Sequence, residues 1–199
     1  MTNPVPAPKA LTFPTVYNIR RKVLVLAGAQ LHVRNAGDRL IAFTQMKAFK
    51  LKEDIRIYAD EAKSKELLSI QARQIIDFSA SYDVTDSTAG GQKVGALRRK
   101  GMKSIIRDEW VILDAADREI GVIQEESAFV AVLRRFINWI PQSFHVKFGG
   151  KIVGRIHQNF NPFVLKLAVD FGEDRKKECD SRLGLAAAIL LAVIEGRQN

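Results

Sequence analysis

The stretch DSRLGLAAAILLAVIEGRQN, residues 180–199, decides the fold. From Leu183 to Ile194 every residue is apolar or glycine, so the helix that this composition predicts has no polar side. Asp180 or Ser181 can cap its N-terminus, and Arg197 falls near the negative end of its dipole. A helix that is apolar all round must be surrounded by protein or by lipid. Leu183 to Ile194 is too short for the ~20 residues a spanning helix needs. The expected sheath is therefore protein, with no transmembrane span.

Upstream, one pattern recurs. Tyr82-Asp-Val84-Thr-Asp86 is followed by a turn at Gly90 and Gly91 and then by Val94-Gly95-Ala-Leu97. Trp110-Val-Ile112-Leu-Asp114 precedes a polar turn and Ile120-Gly121-Val-Ile123. Phe144-His-Val146-Lys-Phe148 precedes Gly149, Gly150 and Val153-Gly154-Arg-Ile156. A weaker copy runs from Leu31-His-Val33 through Asn35-Ala-Gly37 to Leu40 and Phe43. Alternating apolar positions around Gly, Asn and Asp turns mark β-hairpins, and consecutive hairpins make an antiparallel meander. Further strands are expected over 55–58, 67–72, 74–78 and 163–171, the last with Phe163, Leu165, Leu167, Val169 and Phe171 on one face. Gly95, Gly121 and Gly154 hold the same place in three returning strands, which implies a bulge or the close approach of another element. Close approach of the apolar helix is the favoured reading. A meander closed around that helix covers the surfaces that each leaves bare.

Between the second and third units, Phe129, Val132, Leu133, Phe136, Ile137 and Ile140 fall at helical spacing. Ser127 can cap this second, amphipathic helix, Pro141 stops it, and Arg134 and Arg135 fall on its wet side. A chain of 199 residues suits one domain. Residues 1–16, with four prolines, read as a flexible lead-in and not a signal peptide, and 17–199 as a single barrel domain. The 47% apolar and 27% charged residues exclude a disordered or collagen-like chain. A lone cysteine, Cys179, excludes an internal disulfide framework and multi-cysteine zinc sites, and fits a reducing, cytoplasmic setting.

The hairpin series, the segment from Glu126 to Arg135, QNFNPFVLKLAVDF at 158–171 and the final apolar helix together resemble the tubby-like superfamily. Within it the resemblance is to the LURP-one-related and phospholipid-scramblase-related branch, over about residues 20–197. It implies a mainly β (α+β) fold: a closed antiparallel barrel of about twelve strands around the C-terminal helix, with the amphipathic helix as an added element. Tubby-type members bind phosphoinositides through basic surface residues, and eukaryotic scramblases are associated with calcium-dependent lipid movement. This chain lacks the scramblases' cysteine cluster and long proline-rich leader.

The chemistry is read from charge. Lys and Arg number 31 against 22 Asp and Glu, a formal +9, which favours anionic partners. The densest basic stretch, Lys93 to Arg107, contains no acidic residue, and Arg98, Arg99, Lys100, Lys103 and Arg107 are the candidate anion-binding residues. The plain alternative is a solvated hairpin. Nucleic acid ranks below lipid as the anion, because Tyr82 and Trp110, which with Trp139 could stack on bases, sit at the inward position of the repeat.

No catalytic constellation emerges. His32, His145 and His157 stand on separate strands without metal-ligand spacing, and His32 and His145 share an outward repeat position. Asp170, Glu173, Asp174, Glu178 and Asp180 lack EF-hand spacing and are interrupted by Arg175, Lys176 and Lys177. Cys179 reads as a packing thiol beside the helix start. Residues 89–101, AGGQKVGALRRKG, lack the Gly-Lys-Ser/Thr of a phosphate loop. The expectation is a non-enzymatic module without metal or cofactor, peripheral to a membrane, that binds anionic lipid headgroups or a protein partner. Scramblase-type lipid translocation and a nucleic-acid-binding regulator are the alternatives.

Overall fold

The computed structural model describes residues 11–24, 28–46, 54–73, 80–100, 109–126, 141–159 and 164–194. These form strands β1 (Val16–Leu24), β2 (Gly28–Asn35), β3 (Leu40–Met46), β4 (Asp54–Tyr58), β5 (Glu66–Ala72), β6 (Ser81–Asp86), β7 (Gln92–Arg99), β8 (Glu109–Asp114), β9 (Glu119–Glu125), β10 (Ser143–Phe148), β11 (Lys151–Asn159) and β12 (Leu165–Asp170), and helix α1 (Ser181–Ile194). Each strand pairs antiparallel with its neighbours in sequence, and β1 pairs with β12 to close the barrel. Closure removes the exposed edges that an open sheet would present. Period-2 patterning sets the two faces: Tyr17, Ile19, Leu31, Val33, Leu167 and Val169 turn inward and are buried. Strand β8 reads as a continuous apolar run because it is buried on both sides: Trp110 and Ile112 join the interior, while Val111 and Leu113 form a separate cluster with Ala96.

Helix α1 fills the barrel, and every residue from Leu183 to Val193 is buried. Asp180 is the cap: its carboxylate accepts the Arg182 N–H at 2.9 Å and its carbonyl accepts the Gly184 N–H at 3.0 Å. At the other end Arg21 reaches in from β1 and donates from Nη1 to the Ala192 carbonyl at 3.3 Å. That places a cation at the negative end of the dipole, the part expected of Arg197, which lies outside the described residues.

The repeat glycines sit beside bulges and under close neighbours alike, and the helix is the crowding neighbour at Gly95 alone of the three. In the β2–β3, β4–β5, β6–β7, β8–β9 and β10–β11 hairpins the register slips by one residue on the returning strand, leaving Ile41, Leu67, Val94, Ile120 and Val153 as the extra residues of β-bulges. Each bulge immediately precedes the repeat position, which holds Ala42 and Leu68 in two hairpins and glycine in three. Glycine stands where a neighbour crowds the bulge. A Cβ on Gly95 would lie 2.3 Å from the Leu113 carbonyl and 3.1 Å from the Leu183 methyls, so the helix does approach there. At Gly121 the crowding comes from the Lys147 carbonyl and the Phe148 ring. At Gly154 it comes from Phe171, whose ring also lies against Gly184 of α1.

Of the lead-in over 1–16, residues 11–16 are described. Leu11 and Phe13 pack against the core, the Phe13 N–H donates to Ser181 Oγ at 3.1 Å, and the Thr15 carbonyl accepts the Phe171 N–H at 2.8 Å. The chain is therefore docked before Tyr17. The expected strand at 74–78 and the expected amphipathic helix with Arg134 and Arg135 lie outside the described residues, among which α1 is the one α-helix.

Candidate anion-binding site

The basic stretch chosen from the sequence is not one surface. Arg98 projects outward from β7 and pairs with Glu119 at the start of β9. Lys100 pairs with Glu109 at the start of β8. Arg99 shares the inward face of β7 with Leu97 and lies over the Trp110 ring, 6.0 Å from its centroid. Lys103 and Arg107 lie outside the described residues. Lys93 meets Asp117 at 2.8 Å and Asp83 at 3.3 Å. Arg73 completes that network, and Arg73 first and Lys93 second hold the Asp117 carboxyl below its ordinary range. A run without acids in sequence thus meets acids in space, because its strand is flanked by two others.

A different concentration of positive charge lies where β1 closes the barrel. Alternation turns Asn18 and Arg20 outward on β1, His32 and Arg34 on β2, and Lys166 on β12. The register sets Arg20 directly opposite Lys166 on one side and opposite His32 on the other, and Asn159 of β11 continues the row beyond Lys166. Asn18 faces Arg34 in the next outward row. These side chains line a shallow depression of about 190 Å³ with Asp38 at its rim. Arg34 is occupied at that rim, donating to the Asp38 carbonyl at 2.7 Å. His32 Nε2 lies 3.3 Å from Glu61 Oε1, and its ring meets Phe43 edge-on with centroids 5.1 Å apart. Arg20 and Lys166 have no hydrogen-bond or ion-pair partner among the described residues. Like charges set directly across two strands repel, so an oxyanion seated between them is favoured.

This site was missed in the sequence although its signal is there. Asn18-Ile-Arg20-Arg21-Lys22 is a basic run, but without β1 identified as a strand nothing separated the outward Arg20 from the inward Arg21. The other candidates are engaged locally. The Asp174 carboxylate accepts the Glu178 and Cys179 N–H groups at 2.8 and 2.9 Å, Asp170 accepts the Gly172 N–H at 2.6 Å, and Glu173 pairs with Arg155. Burial, with Asp174 and Asp180 beside it, pushes the Cys179 thiol up to about 12, away from thiolate reactivity. Ser143 Oγ lies 2.7 Å from His157 Nδ1, a pairing the sequence reading overlooked, and no carboxylate meets the far nitrogen among the described residues. No group of three or more metal-ligating side chains is assembled among those residues.

The family model for LURP-one-related proteins matches residues 40–191, about three quarters of the chain. The chain belongs to the LURP-one-related family. No curated protein matches the sequence. The twelve-stranded barrel around a buried helix agrees with the wider resemblance to tubby-like proteins. In this LURP-one-related chain the family match starts at Leu40, so it covers β12 but neither β1 nor β2, which carry Arg20 and His32.

Proposed function

We propose that this LURP-one-related barrel is a non-enzymatic binding module that meets anionic, phosphate-bearing lipid headgroups at a membrane surface through the β12–β1–β2 wall. The observation that carries the reading is the facing pair Arg20 and Lys166, two outward cations on neighbouring strands that make no ion pair among the described residues. Elsewhere on the wall Arg56, Arg98 and Arg155 each have a carboxylate partner. The depression is too small to enclose an acyl chain, and its lining of amides and cations, with the single carboxylate of Asp38 at the rim, suits a headgroup. The nucleic-acid alternative loses support because Tyr82 and Trp110 are buried and cannot stack on a base, while Trp139 lies outside the described residues.

Co-sedimentation with vesicles tests this. Phosphatidylcholine vesicles containing phosphatidylglycerol or a phosphoinositide should retain the protein, and phosphatidylcholine alone should not. Replacing Arg20 and Lys166 together by Ala should weaken retention by about 2 kcal/mol, roughly 30-fold. Replacing Arg98 and Lys100 should change it little, since both are already paired. Equal retention by neutral and anionic vesicles, or an unaffected Arg20/Lys166 double variant, overturns the proposal.

A further inference from the structure

Building on that reading, we infer that His32 is a proton-controlled third cation of the wall site, so that its grip on a phosphate-type oxyanion tightens as the pH falls. The register places Lys166, Arg20 and His32 at successive positions of one row across β12, β1 and β2. The imidazole is held in that row. Its side chain is only 17% exposed, its edge rests on Phe43, itself 1% exposed, and Nε2 points to the Glu61 carboxylate in the turn between β4 and β5.

The charged groups around His32 come from each element packed against it. Arg20 faces it from β1 and Lys166 lies one strand beyond; Arg34 and Asp38 share the depression, and Glu61 approaches from the turn. From β3 the neighbour is Phe43, and Tyr58 of β4 pairs with it in register. With a neutral imidazole the row holds two cations and has the uncompensated Glu61 carboxylate beside it. Protonation adds a third cation and offsets Glu61, so the site gains one unit of positive charge. Imidazole is the side chain whose ordinary titration spans about pH 5 to 8. An oxyanion between Arg20 and Lys166 favours the protonated ring, and by linkage the proton favours the oxyanion by the same factor.

The test uses the whole chain and probes of constant charge, because a phosphate monoester gains its own second charge near pH 6. Phosphatidylglycerol vesicles serve as the headgroup source and inorganic sulfate, at fixed ionic strength, as the free oxyanion. From about pH 8 to about pH 5.5, affinity should rise about fivefold, the effect of one added cation near an anionic surface. His32→Asn should abolish the rise, while His145→Asn should leave it intact. Glu61→Gln, in an exposed turn, removes a carboxylate beside the row and should tighten binding at the alkaline end. A rise with vesicles alone assigns a headgroup at a surface; the same rise with sulfate assigns the oxyanion itself. A pH-independent wild type, or a His32→Asn variant that keeps the full rise, overturns the inference. Failure to prefer phosphatidylglycerol vesicles at any pH overturns the function on which it rests.

Discussion

At Gly95 a single hydrogen decides whether the wall and its contents fit. The bulge at Val94 turns the next residue toward the Leu113 carbonyl and the Leu183 methyls, and a side chain there has no direction of escape because one of its obstacles is backbone. Gly95→Val should lower stability by about 3 kcal/mol, as overpacking against a rigid neighbour does. Gly149→Ala is a useful contrast: φ is +53° with open space around the Cβ position, so the cost is backbone strain of about 1 kcal/mol. Urea unfolding of both variants checks the pair, and a Gly95→Val as mild as Gly149→Ala would count against crowding as the reason for this glycine. The recurrence of Gly95, Gly121 and Gly154 was legible in the sequence. The two candidate causes could be named there, but which neighbour crowds each glycine could not, because register is a property of paired strands and the sequence displays one strand at a time.

Helix α1 is fastened at both ends by elements distant in sequence. Arg182 donates to Asp86 at the end of β6 at 2.9 Å and to its own cap, Asp180. Asp86 is 2% exposed; burial pushes its carboxyl up, but the Thr88 hydroxyl, Arg182 and the Thr88 N–H together outweigh that, and the carboxyl ends below its ordinary range. A carboxyl lowered in the folded state contributes stability that is present above its unfolded value, about 4, and is lost as the pH falls through the lower folded value. Arg182→Met should therefore cost about 2 kcal/mol at neutral pH and progressively less in acid, as the pH falls through the lowered Asp86 value and the carboxylate that Arg182 meets is protonated. Urea midpoints at neutral and acid pH measure this; a cost that does not shrink in acid would mean that Arg182 acts through packing alone. The expected Asp180 cap was readable locally, whereas Arg21 at Ala192 and Arg182 at Asp86 depend on how strands are placed around the rod.

Rod and wall stabilise each other as one unit. Taking Leu183 to Val193 out of the barrel would expose six large aliphatic side chains on the helix, on the order of 10 kcal/mol at ~1.5–3 each. That matches the whole stability of an ordinary domain, so the helix cannot leave while the wall persists. Backbone amides from Leu185 to Val193 should exchange with solvent only through global unfolding, at the same free energy as the inner strands. Faster exchange of the helix in a still-folded sample would favour the lipid-translocation alternative, which requires the helix to be released. No helix of the described residues is long and apolar enough to cross a membrane.

What the sequence determined by itself is the fold: strand alternation, turn residues and an all-apolar rod are local or single-chain features, and their mutual need for cover points to a barrel around a helix. What only the tertiary structure decided is the electrostatics of the wall. Lys93 to Arg107 carries the denser charge in sequence, yet Glu109, Asp117 and Glu119 reach it across strands, while Arg20, His32 and Lys166, far apart in the chain, become neighbours when β1 meets β12 and β2. Hydrophobic periodicity survives in one dimension because a strand buries every second residue whatever its partner. Charge compensation does not, because the field at a side chain is set by whichever strands lie beside it.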